Sequence, residues 1–346
     1  MSVPLIGLVA VGTIFVEGGP GTTEAFTEAE RSAAQLAVFL AEQQLARMSV
    51  RFSPNTFLQC SFFNEFRSAV INPGFISPPT NTTTNPLLRQ SEIDTREPQW
   101  RELAMEAIGF PAAAGAQRER YQDELLLKDW RVPQKPRHAI IIFVTKFPTG
   151  WMAYADPAER STTVQFDWIG SAGVKFLSTG TFGYGLANLD RVLAHEIGHL
   201  FGGLDEYGPC RSFDTSGPRP TTNANCGGFE DCLMKHNSPV LCPATAEHLG
   251  WVDLDGDGAV DGGIAVVTHM SSHSGRGGDT VSIFGEGLGE SRSVVFVGVG
   301  AAAFTIVADT RLDVVVPDGS GTDIDLFVTT PFGVTAPAVA LRFSYI

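Results

Sequence analysis

The chemistry in this chain is concentrated in His195-Glu196-Ile197-Gly198-His199-Leu200-Phe201-Gly202-Gly203-Leu204-Asp205. On a helix, residues four apart lie about 40° apart around the axis, so His195 and His199 can offer imidazole nitrogens to one metal ion. Glu196 cannot join them as a ligand, but it stands beside the open coordination position, where a general base is needed. Gly202 ends the helix by taking a left-handed conformation at no steric cost, and the turn brings Asp205 round as a third ligand. Zinc held by three protein ligands keeps one position for water, whose pKa falls to roughly 7, and Glu196 can accept its proton as that water attacks a carbonyl. The chemistry implied is amide hydrolysis. A core helix carrying the same letters would bury His195, Glu196, His199 and Asp205 with nothing to offset their desolvation.

The elements that must position these residues can be read around them. The helix should begin near Asn188, a good cap, with Leu193, Ile197, Leu200 and Leu204 at helical spacing packing behind the site. Pro4 to Val16 is apolar and rich in β-branched residues, and no Lys or Arg precedes it, so a buried first strand is favoured over a signal-peptide core. Thr27 and Glu30 form a capping box for a helix to about Met48, and Val50 to Phe52 reads as a short strand, giving a β-α-β opening. Ile71 to Pro86, crowded with Pro, Asn, Thr and Gly, reads as an exposed loop. Pro98 to Ile108 and Ala114 to Trp130 read as helices, and His138 to Phe147 as a strand buried on both faces, with His138 structural. Ser161 to Trp168 reads as an edge strand to which a peptide could add by main-chain hydrogen bonds.

With 346 residues, 43% of them apolar, the chain can bury a large core and a smaller one. A net charge of −14 argues against nucleic acid and anionic membrane surfaces as partners, and no later run is long enough to span a bilayer. Of the five cysteines, Cys210, Cys226, Cys232 and Cys242 cluster just after the metal motif. They suggest two disulfides and an oxidising, extracellular compartment, any export signal having been removed or the route being unconventional. The most local pairings are Cys210 with Cys226 and Cys232 with Cys242; a second zinc held by these thiolates is the competing reading, weakened by the lack of a C-x-x-C pair.

His195 to Asp205 resembles the H-E-x-x-H-x-x-G-x-x-H/D signature of the metzincin zinc peptidases, and Asp205-Glu206-Tyr207-Gly208 followed by a Cys-rich loop resembles secreted bacterial members with an Asp ligand. The resemblance implies an α+β catalytic part with a twisted mixed sheet, the active-site helix and a small lower subdomain. It would span residues 1–252, the upper part reaching about 202 and the lower part covering 203–252. It also implies a Met-containing turn beneath the metal, for which Met234 in Cys232-Leu233-Met234 is the candidate, and a final helix over Ala246 to Trp251. Glu206 stays open as an alternative ligand to Asp205, and Tyr207 either donates to an oxyanion or packs the turn.

Asp253, Asp255, Asp257 and Asp261 occupy positions 1, 3, 5 and 9 of a calcium loop, but Ile264 stands where a bidentate Glu belongs. Residues 253–264 therefore read equally as a weak calcium site or as a linker with Asx turns. From 265 to 346 the texture changes to short β runs, at Val281 to Phe284, Val294 to Val297, Leu312 to Val316, Ile324 to Val328 and Leu341 to Tyr345. With Gly277 to Leu288, Val316-Pro317 and Thr330 to Gly333, this region resembles the immunoglobulin-like IPT/TIG domain, an all-β sandwich. That resemblance implies a spacer or a module for a cell-surface or glycan partner.

Two functions of different class follow: a zinc endopeptidase acting on protein or peptide substrates, and a surface-binding or structural protein that keeps the scaffold. Glu196 favours the first, because a purely structural metal site needs no base. A hydrolase of non-peptide amides would use the same site.

Overall fold

The computed structural model describes residues 4–52, 60–71, 99–112, 116–132, 136–147, 153–166, 189–218, 220–251, 265–289, 291–308, 310–330, 333–335 and 341–346. The Asp-rich stretch 253–261, Asn188, Trp168 and most of the Pro- and Thr-rich stretch 71–86 lie outside them.

The first strand, β1 (Leu8–Glu17), is buried along nearly its whole length because it is paired on both sides. Helix α1 (Glu28–Phe52) follows, and β2 (Ser61–Val70) returns parallel to β1. The capping box forms as its letters require: the Glu30 carboxylate accepts from the Thr27 backbone N–H at 2.8 Å, and the Glu30 N–H donates to Thr27 Oγ1 at 3.2 Å. The helix then overruns the short strand expected at Val50 to Phe52, since its buried stripe of Ala34, Ala37, Val38, Ala41, Leu45 and Met48 keeps packing to the last turns. The second strand of the opening is β2 instead.

Residues 99–107 form α2, and α3 spans Gln117–Leu127. Strand β3 (His138–Thr145) is buried at every position, in the middle of the sheet as its β-branched run requires. A short β4 (Ala153–Asp156) and a turn lead into β5 (Ser161–Gln165). The five-stranded sheet runs β2-β1-β3-β5-β4, with β4 as its single antiparallel member. The expectation of an edge strand at Ser161 to Trp168 is therefore corrected: β5 lies inside the sheet, fully buried, and β4 is the edge.

Alternation along β1 and β3 sends side chains to two cores. Val9, Val11, Phe15, Ile140 and Ile142 join α1 and α4 (Leu189–Leu200) on one face, whereas Ala10, Ile14, Ile141 and Phe143 join α2 and α3 on the other. After α4 come β6 (Thr215–Ser216), β7 (Thr221–Thr222), α5 (Leu233–His236) and α6 (Pro243–His248). Residues beyond α6 close back on the start of the chain. The Leu5 N–H donates to Leu249 O at 2.9 Å, Trp251 Nε1 donates to Leu5 O, and Gly250 approaches so close that a Cβ would stand 2.6 Å from Pro4 Cβ.

The remaining strands are β8 (Val266–Met270), β9 (Ser274–Gly275), β10 (Thr280–Glu286), β11 (Ser293–Phe296), β12 (Gly300–Ala302), β13 (Phe304–Ala308), β14 (Arg311–Val315), β15 (Ile324–Thr330), β16 (Gly333–Val334) and β17 (Arg342–Tyr345). They form one sheet ordered β13-β14-β10-β8 and another ordered β12-β11-β15-β17-β9, with β16 beside β15. Ile283, Leu312 and Val314 of the first meet Phe296, Leu326, Val328 and Phe343 of the second in one apolar cluster, drawn wholly from residues 265–343. The chain is thus a mixed α and β protein with several sheets. No helix among the described residues is long and apolar enough to cross a membrane.

Candidate metal centre and cleft

Helix α4 packs its apolar face on α1, burying Leu193, Ile197 and Leu200, and this fixes where the opposite side of the helix points. Gly202 ends it with φ of 100°, in the left-handed region, and the Gly203 N–H donates to Gly198 O at 2.9 Å. The turn returns Asp205 to the histidines. His195 Nε2 lies 3.2 Å and His199 Nε2 3.3 Å from Asp205 Oδ1, and the two nitrogens are 3.1 Å apart.

A metal bound by these three atoms at zinc distances, in a tetrahedron, would hold them about 3.3 Å from one another, so the triangle fits zinc without rearrangement. The outer nitrogens fit as well. His195 Nδ1 lies 3.0 Å from Leu233 O and His199 Nδ1 lies 2.8 Å from Gly203 O. A carbonyl can only accept, so each Nδ1 carries a proton, which leaves Nε2 as the nitrogen that a neutral ring would offer to a metal.

Charge in the site follows the same geometry. Burial alone would lower the His199 pKa, but the Asp205 hydrogen bond and the nearby Glu196 charge outweigh it and raise the value to about 9. Burial works to raise Asp205, yet hydrogen bonds to His195 and His199 hold its carboxyl well below the usual range. Both shifts express one fact: a carboxylate faces two imidazoles across a gap that calls for positive charge, either a proton or a metal ion. Burial raises the Glu196 pKa, which moves that carboxyl toward the range of a working general base.

Met234 is fully buried beneath the site. Its Sδ lies 3.0 Å from where a Cβ on Gly198 would stand, and its Cε 3.2 Å from the corresponding point on Gly203. These glycines admit the thioether under the helix end. Glu206, the alternative to Asp205, does not join this triangle but belongs to a separate buried cluster. Its buried carboxylate accepts from Asn225 Nδ2 at 2.6 Å, Thr245 Oγ1 at 2.6 Å and Cys242 Sγ at 2.9 Å.

The triad opens into a cleft of about 890 Å³ lined by Glu196, His199, Asp205, Tyr207 and edge strand β4 with the turn that follows it. Tyr207 is half exposed there, its ring 6.0 Å from that of His195. His138 stays apart: it is buried, its ring stands 5.4 Å from Phe201, and burial lowers its pKa to about 4.

Cys210 and Cys226 are joined in a disulfide. The second expected disulfide is not formed: Cys232 and Cys242 are buried free thiols in contact, with the Cys242 N–H 3.3 Å from Cys232 Sγ. Together with Glu206 they make a second cluster of donor atoms, in which Thr245 and Asn225 already satisfy the carboxylate. The calcium candidates Asp253, Asp255, Asp257 and Asp261 fall outside the described residues.

Sequence reasoning did not single out the Leu233 carbonyl, the role of Gly203 or strand β4. The carbonyl leaves no signal in residue type. The doubled Gly202-Gly203 was visible, and its second member is explained only by the approach of Gly198 O and Met234.

No protein-family model and no curated protein matches the chain. Among solved structures, a gamma-CGTase from alkalophilic Bacillus clarkii aligns at 22% identity over 25% of this chain and 13% of its own, with a TM-score of 0.22. An auxiliary nutrient binding protein from Bacteroides ovatus aligns at 20% identity over 25% and 22%, with a TM-score of 0.21. A chaperone-substrate complex aligns at 13% identity over 68% of this chain and 30% of that one, with a TM-score of 0.28. The chain spans less than a third of each of these structures, and likenesses this slight carry no argument about fold or function.

Proposed function

We propose that this chain is a zinc-dependent endopeptidase of the metzincin type, with a C-terminal IPT/TIG-like module over residues 265–346. One observation carries the reading: His195 Nε2, His199 Nε2 and Asp205 Oδ1 converge within 3.1–3.3 Å at a cleft that Glu196 also lines. Zinc bound there supplies a Lewis acid and lowers the pKa of water. Glu196 takes the proton released in the attack and returns it to the leaving amine, for which its raised pKa suits it. Tyr207, which lines the same cleft, is the candidate donor to the oxygen that gains charge.

Strand β4 supports a peptide rather than a small amide as substrate. Among the described residues it is the outer strand of the sheet, it lines the cleft, and an extended peptide can pair with such an edge. The Cys210–Cys226 disulfide supports an extracellular setting. The two-sheet arrangement of residues 265–343 supports the immunoglobulin-like reading of the C-terminal part, as a spacer or a surface- or glycan-binding module.

The test is cleavage of a mixed peptide library by the purified chain and by Glu196→Ala, with metal content measured on both. The wild type is expected to hold about one zinc per chain and cleave, and Glu196→Ala to hold zinc and not cleave. A fully active Glu196→Ala protein ends the mechanism. A zinc-loaded wild type that cleaves nothing favours a binding protein on this scaffold.

A further inference from the structure

Arg160 is the last residue of the turn from β4 to β5 and lines the same cleft as Glu196, His199 and Asp205. Among the described residues lining it, those three belong to the metal centre, and Arg160 is the charged side chain left over. Among the described residues no carboxylate is paired with it, and its surroundings explain why. The two acids nearest in sequence are already engaged, Asp156 by Arg101 at 3.3 Å and Glu159 by Arg118 at 2.9 Å. Other arginines of the chain, such as Arg31 with Glu17 and Arg311 with Asp313, find acids close by.

The turn that carries Arg160 is anchored. Its φ is 49°, a left-handed conformation uncommon outside glycine, and its carbonyl accepts from the Ile141 N–H at 3.1 Å, which ties it to β3. The cleft walls around it are small, with Ala155, Ala158 and Gly203 among the lining residues, so they leave room for a side chain from a bound peptide. In a chain of net charge −14, the average field repels acidic ligands, and a local cation is what would admit one.

We propose that Arg160 is a specificity-determining residue that selects substrates bearing a carboxylate, which its planar guanidinium can grip through two parallel hydrogen bonds. The inference rests on the peptidase reading for its substrate class. The carboxylate could be an Asp or Glu side chain or the free C-terminus of a peptide.

The experiment walks Glu, Gln or Lys through each position of one alanine-rich peptide, with free and amidated C-termini, and measures kcat/KM for the zinc-loaded wild type, Arg160→Ala and Arg160→Glu. Equilibrium binding of the same peptides to Glu196→Gln is measured by calorimetry, alone and combined with Arg160→Ala. At one position the wild type should prefer Glu over Gln by about tenfold, Arg160→Ala should bring the ratio to near unity, and Arg160→Glu should turn it toward Lys. If the preference instead follows the free over the amidated terminus, the C-terminal carboxylate is the ligand. Equal treatment of all peptides by a cleaving wild type, or a preference that survives in Arg160→Ala, overturns the assignment and leaves the peptidase reading standing. A chain that cleaves nothing yet binds acidic peptides in an Arg160-dependent way does the reverse. Absence of both cleavage and acid-dependent binding removes both.

Discussion

His195 and Leu233 stand 38 residues apart in sequence, yet the imidazole Nδ1 of one and the backbone carbonyl of the other are 3.0 Å apart. The bond holds the proton on His195 Nδ1 and couples the segment bearing Met234 to the triad, so that any metal the triad takes would be linked to the packing of that segment. Asp205 and Glu206, adjacent in sequence, should then separate cleanly. Asp205→Ala is expected to lower zinc affinity by about 100-fold or more with little loss of fold. Glu206→Ala is expected to keep zinc stoichiometry but lose roughly 1–3 kcal/mol, because Asn225, Thr245 and Cys242 lose a buried acceptor. Metal analysis and urea unfolding of both variants check this.

The glycine pair above Met234 predicts a packing effect. A Cβ on Gly203 would meet Gly198 O at 3.0 Å and Met234 Cε at 3.2 Å, so Gly203→Ala should cost about 1–3 kcal/mol and weaken zinc binding in parallel. Met234→Leu, which conserves volume, should cost less than about 1.5 kcal/mol. Thermal melts with and without zinc would show the difference; equal melts for Gly203→Ala and wild type would remove the packing role.

Three cysteines, Cys60, Cys232 and Cys242, are buried free thiols. A thiol reagent under non-reducing conditions should find none of them in the native protein and all of them after unfolding in guanidinium. A count of only Cys60 after unfolding would mean that Cys232 and Cys242 are bonded to each other.

Glu42, on α1, predicts a pH dependence of stability. Burial raises its pKa to about 8, with the Asn64 side chain at 2.6 Å offsetting this only in part. A carboxyl whose folded pKa exceeds its unfolded value stabilises the fold fully below the unfolded pKa and progressively less above it. The contribution of Glu42 should therefore be lost between pH 4.5 and about 8. The stability gained by Glu42→Gln should grow across that window when urea midpoints of the two proteins are compared. A flat difference would mean that Glu42 is already charged in the fold.

What the sequence made legible was local. The spacing of His195, His199 and Asp205, the Thr27–Glu30 cap and the buried run of β3 are each fixed by a backbone period or a cap geometry, and each was readable from a short window. The misreadings were non-local. Val50 to Phe52 has strand-like letters, but α1 continues because its stripe still has a partner to pack on. The place of β5 inside the sheet depends on β4, four residues whose composition gives no strand signal. Cys232 and Cys242 are brought together as expected, but whether they bond is not written in their spacing.

The clasp between Leu5 and residues 249–251 joins positions 246 apart in sequence. During synthesis, Leu5 waits for the chain up to residue 251 to be translated before its main chain can pair with Leu249 and Trp251. Contacts closed over such a span carry a large loop entropy and make folding slow relative to a locally wired protein. Residues 195–205 therefore emerge from the ribosome well before the fold that holds them is closed. Protection from proteolysis should appear abruptly once residue 251 has left the exit tunnel.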